Sequence, residues 1–179
     1  MVDGTPHPRI ASGDHEAFMD YALSCARLSP PGPDKFCVGA VLVDADRSQV
    51  LSTGYSLELP GDRPGDPGTT HAEHCCFIKT AEKYGVSEAE LNQRLPTNTV
   101  LYTTMEPCNE RLSGNKSCVE RILVLKDRLK TVYVGIKEPG TFIANNQGQK
   151  RLEAADVRVI RLESMEDRVM EVTMAGHNK

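Results

Sequence analysis

Two short stretches, well separated in the chain, carry side chains that make sense together only if the fold brings them to one place. One is His71-Ala72-Glu73. The other begins at Glu106-Pro107-Cys108 and ends at Cys118, with nine residues between the two cysteines. Together they offer one imidazole, two thiols and one carboxylate. Zinc in a catalytic site takes three nitrogen, sulfur or oxygen ligands and keeps a fourth position open. A carboxylate that is not a ligand can then carry protons to and from whatever binds there. A chain that satisfies both stretches must aim two segments at a common point. Helix N-termini beside the C-terminal ends of strands do this, because both gather along one edge of a layered sheet.

The local patterns fit that demand. Ala72, Cys75, Cys76 and Ile78 recur at helical spacing over 71–84, after Thr69-Thr70 and before Gly85. Thr70 as N-cap with Glu73 three residues on predicts a capping box. Glu73 is then either a helix-start carboxylate or a group aimed past the helix end into a site. Residues 98–104 (N-T-V-L-Y-T-T) predict a buried strand that ends before Pro107. Cys108 follows that strand, and Cys118 opens a predicted helix over 118–126, where the dipole favours thiolate over thiol. His71, Cys108 and Cys118 are thus the candidate zinc ligands, with Glu73 as the proton carrier. A competing set is His71, His74 and Cys75, which share one helix face and either make a structural zinc site with Cys108 or are simply core residues.

The rest of the chain supplies the frame. A helix is predicted over 14–28, with Phe18, Ala22, Cys25 and Leu28 as its apolar stripe, ended by Ser29-Pro30-Pro31-Gly32-Pro33. Residues 36–43 and 49–56 read as a hairpin, in which Gly39 marks either a close backbone approach or a bulge. A Pro/Gly loop over 57–70 leads into His71, as a wall or lid of the site or as a surface excursion. A short helical piece over 88–95, strands over 131–136 and 157–162, and helices over 148–155 and 165–175 follow. In the last helix Met165, Val169, Val172 and Met174 form a core stripe. Strands separated by helices after an opening hairpin predict an α/β fold, three-layer α/β/α with a five-stranded mixed sheet. Residues 1–13 are expected to be a loose N-terminal segment and 14–179 a single zinc-dependent domain.

Composition narrows the partners. A net charge of −4 argues against a nucleic-acid backbone. No apolar run approaches a membrane span, and no signal-peptide pattern opens the chain. Of the six cysteines, two are assigned to metal and two are adjacent, so the chain reads as a reduced, cytoplasmic protein.

H-x-E followed by P-C and a further Cys is the pattern of the zinc nucleobase deaminases. With Val38-Gly39-Ala40-Val41, His71-Ala72-Glu73 and Thr104-Met105-Glu106-Pro107-Cys108 in succession, the chain resembles the cytidine-deaminase-like superfamily. Within it the likeness is to the riboflavin-pathway pyrimidine deaminases, a group that tolerates a long insertion between the metal cysteines. The run through Arg111-Leu112-Ser113-Gly114-Asn115 to Cys118-Val119-Glu120-Arg121 is similar to the fungal form. Lys35-Phe36 departs from the bacterial relatives, which carry Asn-Pro there. The resemblance implies a cytidine-deaminase-like fold, bound Zn²⁺, and a phosphorylated pyrimidine substrate, 2,5-diamino-6-ribitylamino-4(3H)-pyrimidinone 5′-phosphate. Its 2-amino group would be hydrolysed to an oxo group with release of ammonia. Bacterial relatives fuse a reductase domain after the deaminase; this chain ends at Lys179 and is expected to lack that activity.

By the same resemblance Ala40 and Glu106 hold the pyrimidine beside the metal, and a homodimer is expected. Arg111, Ser113, Asn115 and Lys116 lie in the insertion, where a Gly-containing loop before a helix start offers N–H groups to a phosphate. Lys116 or Arg111 is the expected phosphate contact; the alternative is a solvated loop. Two other readings share these residues. One is a zinc deaminase of another base or nucleoside, such as cytosine, guanine or cytidine. The other is a non-catalytic, zinc-stabilised binding protein, which would need no spare Glu73 and would close its zinc with a fourth ligand such as Cys75.

Overall fold

The computed structural model of the chain describes residues 6–59, 70–111, 116–139 and 147–177. The β-branched runs form strands β1 (Gly39–Asp44), β2 (Gln49–Tyr55), β3 (Thr99–Met105), β4 (Leu129–Ile136) and β5 (Arg158–Arg161). The helices are α1 (His15–Ala26), α2 (Ala72–Tyr84), α3 (Cys118–Val124), α4 (Gly148–Ala154) and α5 (Glu166–Thr173). The strands make one mixed sheet in the order β2-β1-β3-β4-β5. β1 runs antiparallel to β2 and β3, while β3, β4 and β5 are parallel. Parallel neighbours need crossover connections; α3 and α4 provide them.

Side chains alternate across each strand, and the two faces take different helices. Tyr102 on β3 stacks on Phe18 of α1, with ring centroids 4.9 Å apart, and Val169 of α5 packs against Gly135 on the same face. Gly54 faces α2 on the other side, and α3 packs between α2 and α4. Every residue of β1 and β3 is buried, as expected for central strands covered on both faces. Two glycines allow this close layering. A Cβ on Gly39 would lie 1.9 Å from the Ala22 carbonyl oxygen, and one on Gly54 would lie 2.1 Å from that of Ala72. The first settles Gly39 as a close approach of α1, not a bulge.

Several boundaries differ from those expected. α1 ends at Ala26, so Leu28 falls outside it and is 66% exposed, not part of the apolar stripe. Its start is capped by Asp14, whose carboxylate accepts from the Ala17 N–H at 3.1 Å. The first strand begins at Gly39 and not at residue 36, and the segment Glu88–Gln93 is a 3₁₀ helix. In α5 and the turn before it, Met165 and Val169 are buried, with Val172 and Met174 packed at the edge of the core. Residues 6–13 are irregular; the His7 ring meets the Tyr21 hydroxyl at 2.7 Å, and Ser48 donates to the Ile10 carbonyl at 2.8 Å. Most of the Pro/Gly loop lies outside the described residues, but its two ends meet where the Leu57 N–H donates to the Thr70 carbonyl at 2.9 Å. Among the described residues no helix is long and apolar enough to cross a membrane.

Candidate metal centre and active site

β3 delivers the first cysteine. Beyond Met105 the chain stays beside β4, with the Glu106 N–H donating to the Ile136 carbonyl at 2.9 Å, and Cys108 follows Pro107 into a buried position. Cys118 is the first residue of α3. That helix has a full capping box: Ser117 Oγ accepts from the Glu120 N–H at 3.2 Å, and the Glu120 carboxylate accepts from the Ser117 N–H at 2.8 Å. The insertion is stitched shut at its base, where the Val119 N–H donates to the Cys108 carbonyl (3.1 Å) and the Cys118 N–H to Cys108 Sγ (3.3 Å). Nine intervening residues therefore do not separate the two sulfurs.

The start of α2 departs from expectation. Its N-cap is His71, not Thr70, and no side chain caps it. Thr70 Oγ1 is buried and finds no hydrogen-bond partner among the described residues. Glu73 does not turn back to the backbone. Its Oε1 accepts from Thr103 Oγ1 on β3 at 3.1 Å, and Cys118 Sγ donates toward its Oε2 at 3.5 Å. Of the two readings of Glu73, the structure shows the one aimed inward.

Cys108 Sγ and Cys118 Sγ each lie 3.5 Å from His71 Nδ1, and the three donor atoms all fall within 4.8 Å of one another. Zn–S bonds of about 2.3 Å and Zn–N bonds of about 2.05 Å, arranged tetrahedrally, put nitrogen and sulfur about 3.6 Å apart. The donor set and its spacing therefore fit zinc. The competing set does not converge. His74 Nε2 is 2.9 Å from the Glu88 carboxylate, and Cys75 Sγ donates to the Tyr55 carbonyl at 3.6 Å.

Electrostatics follow from burial and proximity. Glu73 is 4% exposed, and burial raises its pKa above the usual carboxyl value, against the pull of His71. Burial alone would lower His71, but the Cys108 sulfur and the Glu73 carboxylate outweigh it and raise its pKa. Cys108 is lowered, first by its side-chain interaction with Cys118 and despite burial; Cys118 is raised, first by the same interaction and then by burial.

A cavity of about 510 Å³ opens onto His71, Glu73 and Cys108. Glu106 and Arg111 are in its wall, and Glu106 Oε1 accepts from the Glu138 N–H at 2.8 Å. Ala40 is fully buried on β1, paired with Thr103, and is not among the lining residues. Lys116 is exposed and outside the wall, with its charge felt at Glu88. Ser113 and Asn115 lie outside the described residues. Sequence reasoning passed over Lys35 and Phe36 as lining residues, whereas Leu57 and Thr70, the two ends of the loop read as a wall or a surface excursion, do line the cavity. The departure at Lys35-Phe36 was the one available signal. What holds that wall comes from the far end of the chain: His177 Nε2 donates to the Lys35 carbonyl at 2.6 Å, and its ring stacks on Phe36 at 5.3 Å.

Comparison with known proteins bears on this arrangement. A diaminohydroxyphosphoribosylamino-pyrimidine deaminase of Schizosaccharomyces pombe is 35% identical over 164 residues, which is 92% of this chain and 36% of that protein. The chain thus spans about a third of that relative's length. The crystal structure of Aspergillus oryzae Rib2 deaminase in complex with DARIPP, a C-terminal deletion mutant, is similar with a TM-score of 0.78 and 36% identity, covering 92% of each chain. A deaminase/reductase of Thermotoga maritima shares the fold at 24% identity and a TM-score of 0.65, over 89% of this chain and 39% of that one. The family model of the cytidine and deoxycytidylate deaminase zinc-binding region matches residues 12–136, from the start of α1 to the end of β4. The chain belongs to the cytidine and deoxycytidylate deaminase zinc-binding family.

Proposed function

We propose that this chain is a zinc-dependent aminohydrolase of riboflavin biosynthesis. Its substrate is 2,5-diamino-6-ribitylamino-4(3H)-pyrimidinone 5′-phosphate, and its products are 5-amino-6-ribitylamino-2,4(1H,3H)-pyrimidinedione 5′-phosphate and ammonia. A zinc held by His71, Cys108 and Cys118 supplies the Lewis acid that makes water nucleophilic near neutral pH. Glu73 carries the protons. Its carboxyl, raised by burial, is placed to accept a proton and to return it. It takes a first proton from water and gives it to the ring nitrogen. It then takes a second from the hydroxyl left on the ring carbon and gives it to the amino group, so that the carbonyl forms as the C–N bond breaks and ammonia leaves. Thr103 fixes one carboxylate oxygen and leaves the other toward the metal group.

The observation that carries this reading is Glu73 itself: a buried acid beside a three-donor metal group, unspent on helix capping. The similarity to a Rib2 deaminase bound to DARIPP supports the choice of substrate. In this reading Glu106, with Ala40 behind the wall, shapes the place for the ring. Arg111, in the cavity wall, takes the phosphate, with Lys116 as the second cation of the insertion; Ser113 and Asn115 are proposed by their place in the sequence alone. The enzyme works in the cytoplasm with its six cysteines free, and as a homodimer. An ammonia-release assay on the ribityl phosphate and on cytidine tests the substrate: turnover of cytidine alone would replace this reading with a nucleoside deaminase. Substituting Arg111 and Lys116 together should erase the KM advantage of the phosphorylated substrate; an intact advantage would move the phosphate site elsewhere.

A further inference from the structure

We propose that Glu88 is a positioning residue for the metal, tying together the two helices that carry His71 and Cys118. It opens the 3₁₀ segment after α2 and belongs to neither helix. Its carboxylate nevertheless meets both. His74 Nε2 lies 2.9 Å from Oε1 and 3.1 Å from Oε2, and Arg121 Nη1 lies 3.5 Å from Oε1. The two partners occupy matching places. His74 comes three residues after His71 on α2, and Arg121 comes three residues after Cys118 on α3. Residues three apart share a helix face, so each partner sits one turn behind a ligand. The His74 side chain is 4% exposed and that of Arg121 14%, whereas Glu88 is 42% exposed, so both partners are shielded while water reaches the carboxylate they share.

The consequence concerns the spacing between His71 Nδ1 and Cys118 Sγ, 3.5 Å in the structure. These donors come from different helices, and α2 starts without a side-chain cap. A brace one turn back resists rotation or sliding of one helix against the other, and so limits the loss of that spacing. Groups that orient metal ligands without touching the metal commonly alter affinity by about 10–100-fold when removed. The proposal rests on the reading of His71 and Cys118 as zinc ligands, but not on the identity of the substrate.

The test measures zinc release from the zinc-loaded full chain into an excess of a chromogenic chelator, for wild type, E88A, E88Q and E90A. Glu90 is the matched control: it completes a capping box with Ser87 on the same 3₁₀ segment and contacts neither helix partner. E88A should release zinc at least about tenfold faster, with E90A within twofold of wild type. E88Q keeps the shape and loses the charge; it should fall between, and it serves in place of E88A at a threefold threshold should E88A not fold. A smaller effect, or equal acceleration in E90A, overturns the proposal by making Glu88 an ordinary part of the segment's stability. H71A separates the premise from the inference: if it retains zinc, the ligand reading fails, whereas a fast-releasing H71A with unaffected E88A rejects the tie alone.

Discussion

The starts of α2 and α3 present the same short pattern, a hydroxyl residue followed three positions later by glutamate, and use it in opposite ways. At α3 the pattern closes on itself: Ser117 and Glu120 satisfy each other's backbone N–H groups. At α2 the pattern Thr70-x-x-Glu73 stays open. The helix begins one residue late, His71 stands at the cap position without capping, and Glu73 bonds Thr103 across the sheet. A side-chain cap contributes about 1 kcal/mol, so α2 forgoes a local gain that α3 keeps. The difference separates an acid that serves its own helix from one that serves the site. Both helices present a metal donor at their first turn, yet only α2 also presents a free carboxylate.

The sharpest way to break this contrast is to neutralise each acid. E73Q should lower kcat by about 10²–10⁴-fold while zinc content, read by metal analysis, stays near one per chain. E120Q should leave turnover within about threefold, because its loss is confined to a capping box of order 1 kcal/mol. Equal damage from both would mean that Glu73 acts as a structural acid after all. The next effect in size comes from packing. In G54A the new Cβ would fall 2.1 Å from the Ala72 carbonyl oxygen. Overpacking of this kind costs about 1–3 kcal/mol, and here it displaces the first turn of α2. Unfolding midpoints should drop and zinc should dissociate faster, whereas an Ala-tolerant Gly54 would show that the uncapped start is not pinned by the sheet.

The layers were legible in the sequence because each element carries its own period: T-V-Y-V-G-I reads as a strand and Phe18/Ala22/Cys25 as a helix face without reference to anything distant. The group that could hold a metal was legible because few other uses demand an imidazole, an acid and two thiols in that order, and the fold brings the three donor atoms within 4.8 Å of one another. The Thr70 box was misread for the same reason that it was convincing. Its pattern matches Ser117-x-x-Glu120, and what overrides it is a contact to Thr103, 30 residues away. The Lys35-Phe36 wall, marked in the sequence only by its departure from the bacterial pattern, was missed on similar grounds. It has no periodicity, and its support is His177, 142 residues further on. Local rules reach as far as their hydrogen bonds do; the parts of the site built from distant pairs lie beyond them.

Smaller effects sharpen the comparison from the stability side. S117A should cost about 1 kcal/mol by denaturant titration, and T70A, at the position that the pattern marks as a cap, less than about half of that. If T70A costs as much, the two helix starts are alike in solution. Smallest of all is the ion pair that holds α2 further along, where Lys79 Nζ meets Glu58 at 2.7 Å with both side chains largely buried. Burial alone would lower the Lys79 pKa, but the Glu58 carboxylate outweighs it and raises it. A raised lysine contributes stability that is full below its unfolded value, about 10.4, and is lost as pH rises through the higher folded value. The difference in unfolding free energy between wild type and K79Q should therefore be at most about 1 kcal/mol at pH 8 and shrink toward zero only as pH rises past the ordinary lysine value. A difference that is already gone at pH 9 would show that the pair does not anchor α2, and would leave Gly54 and the metal group to hold the uncapped helix.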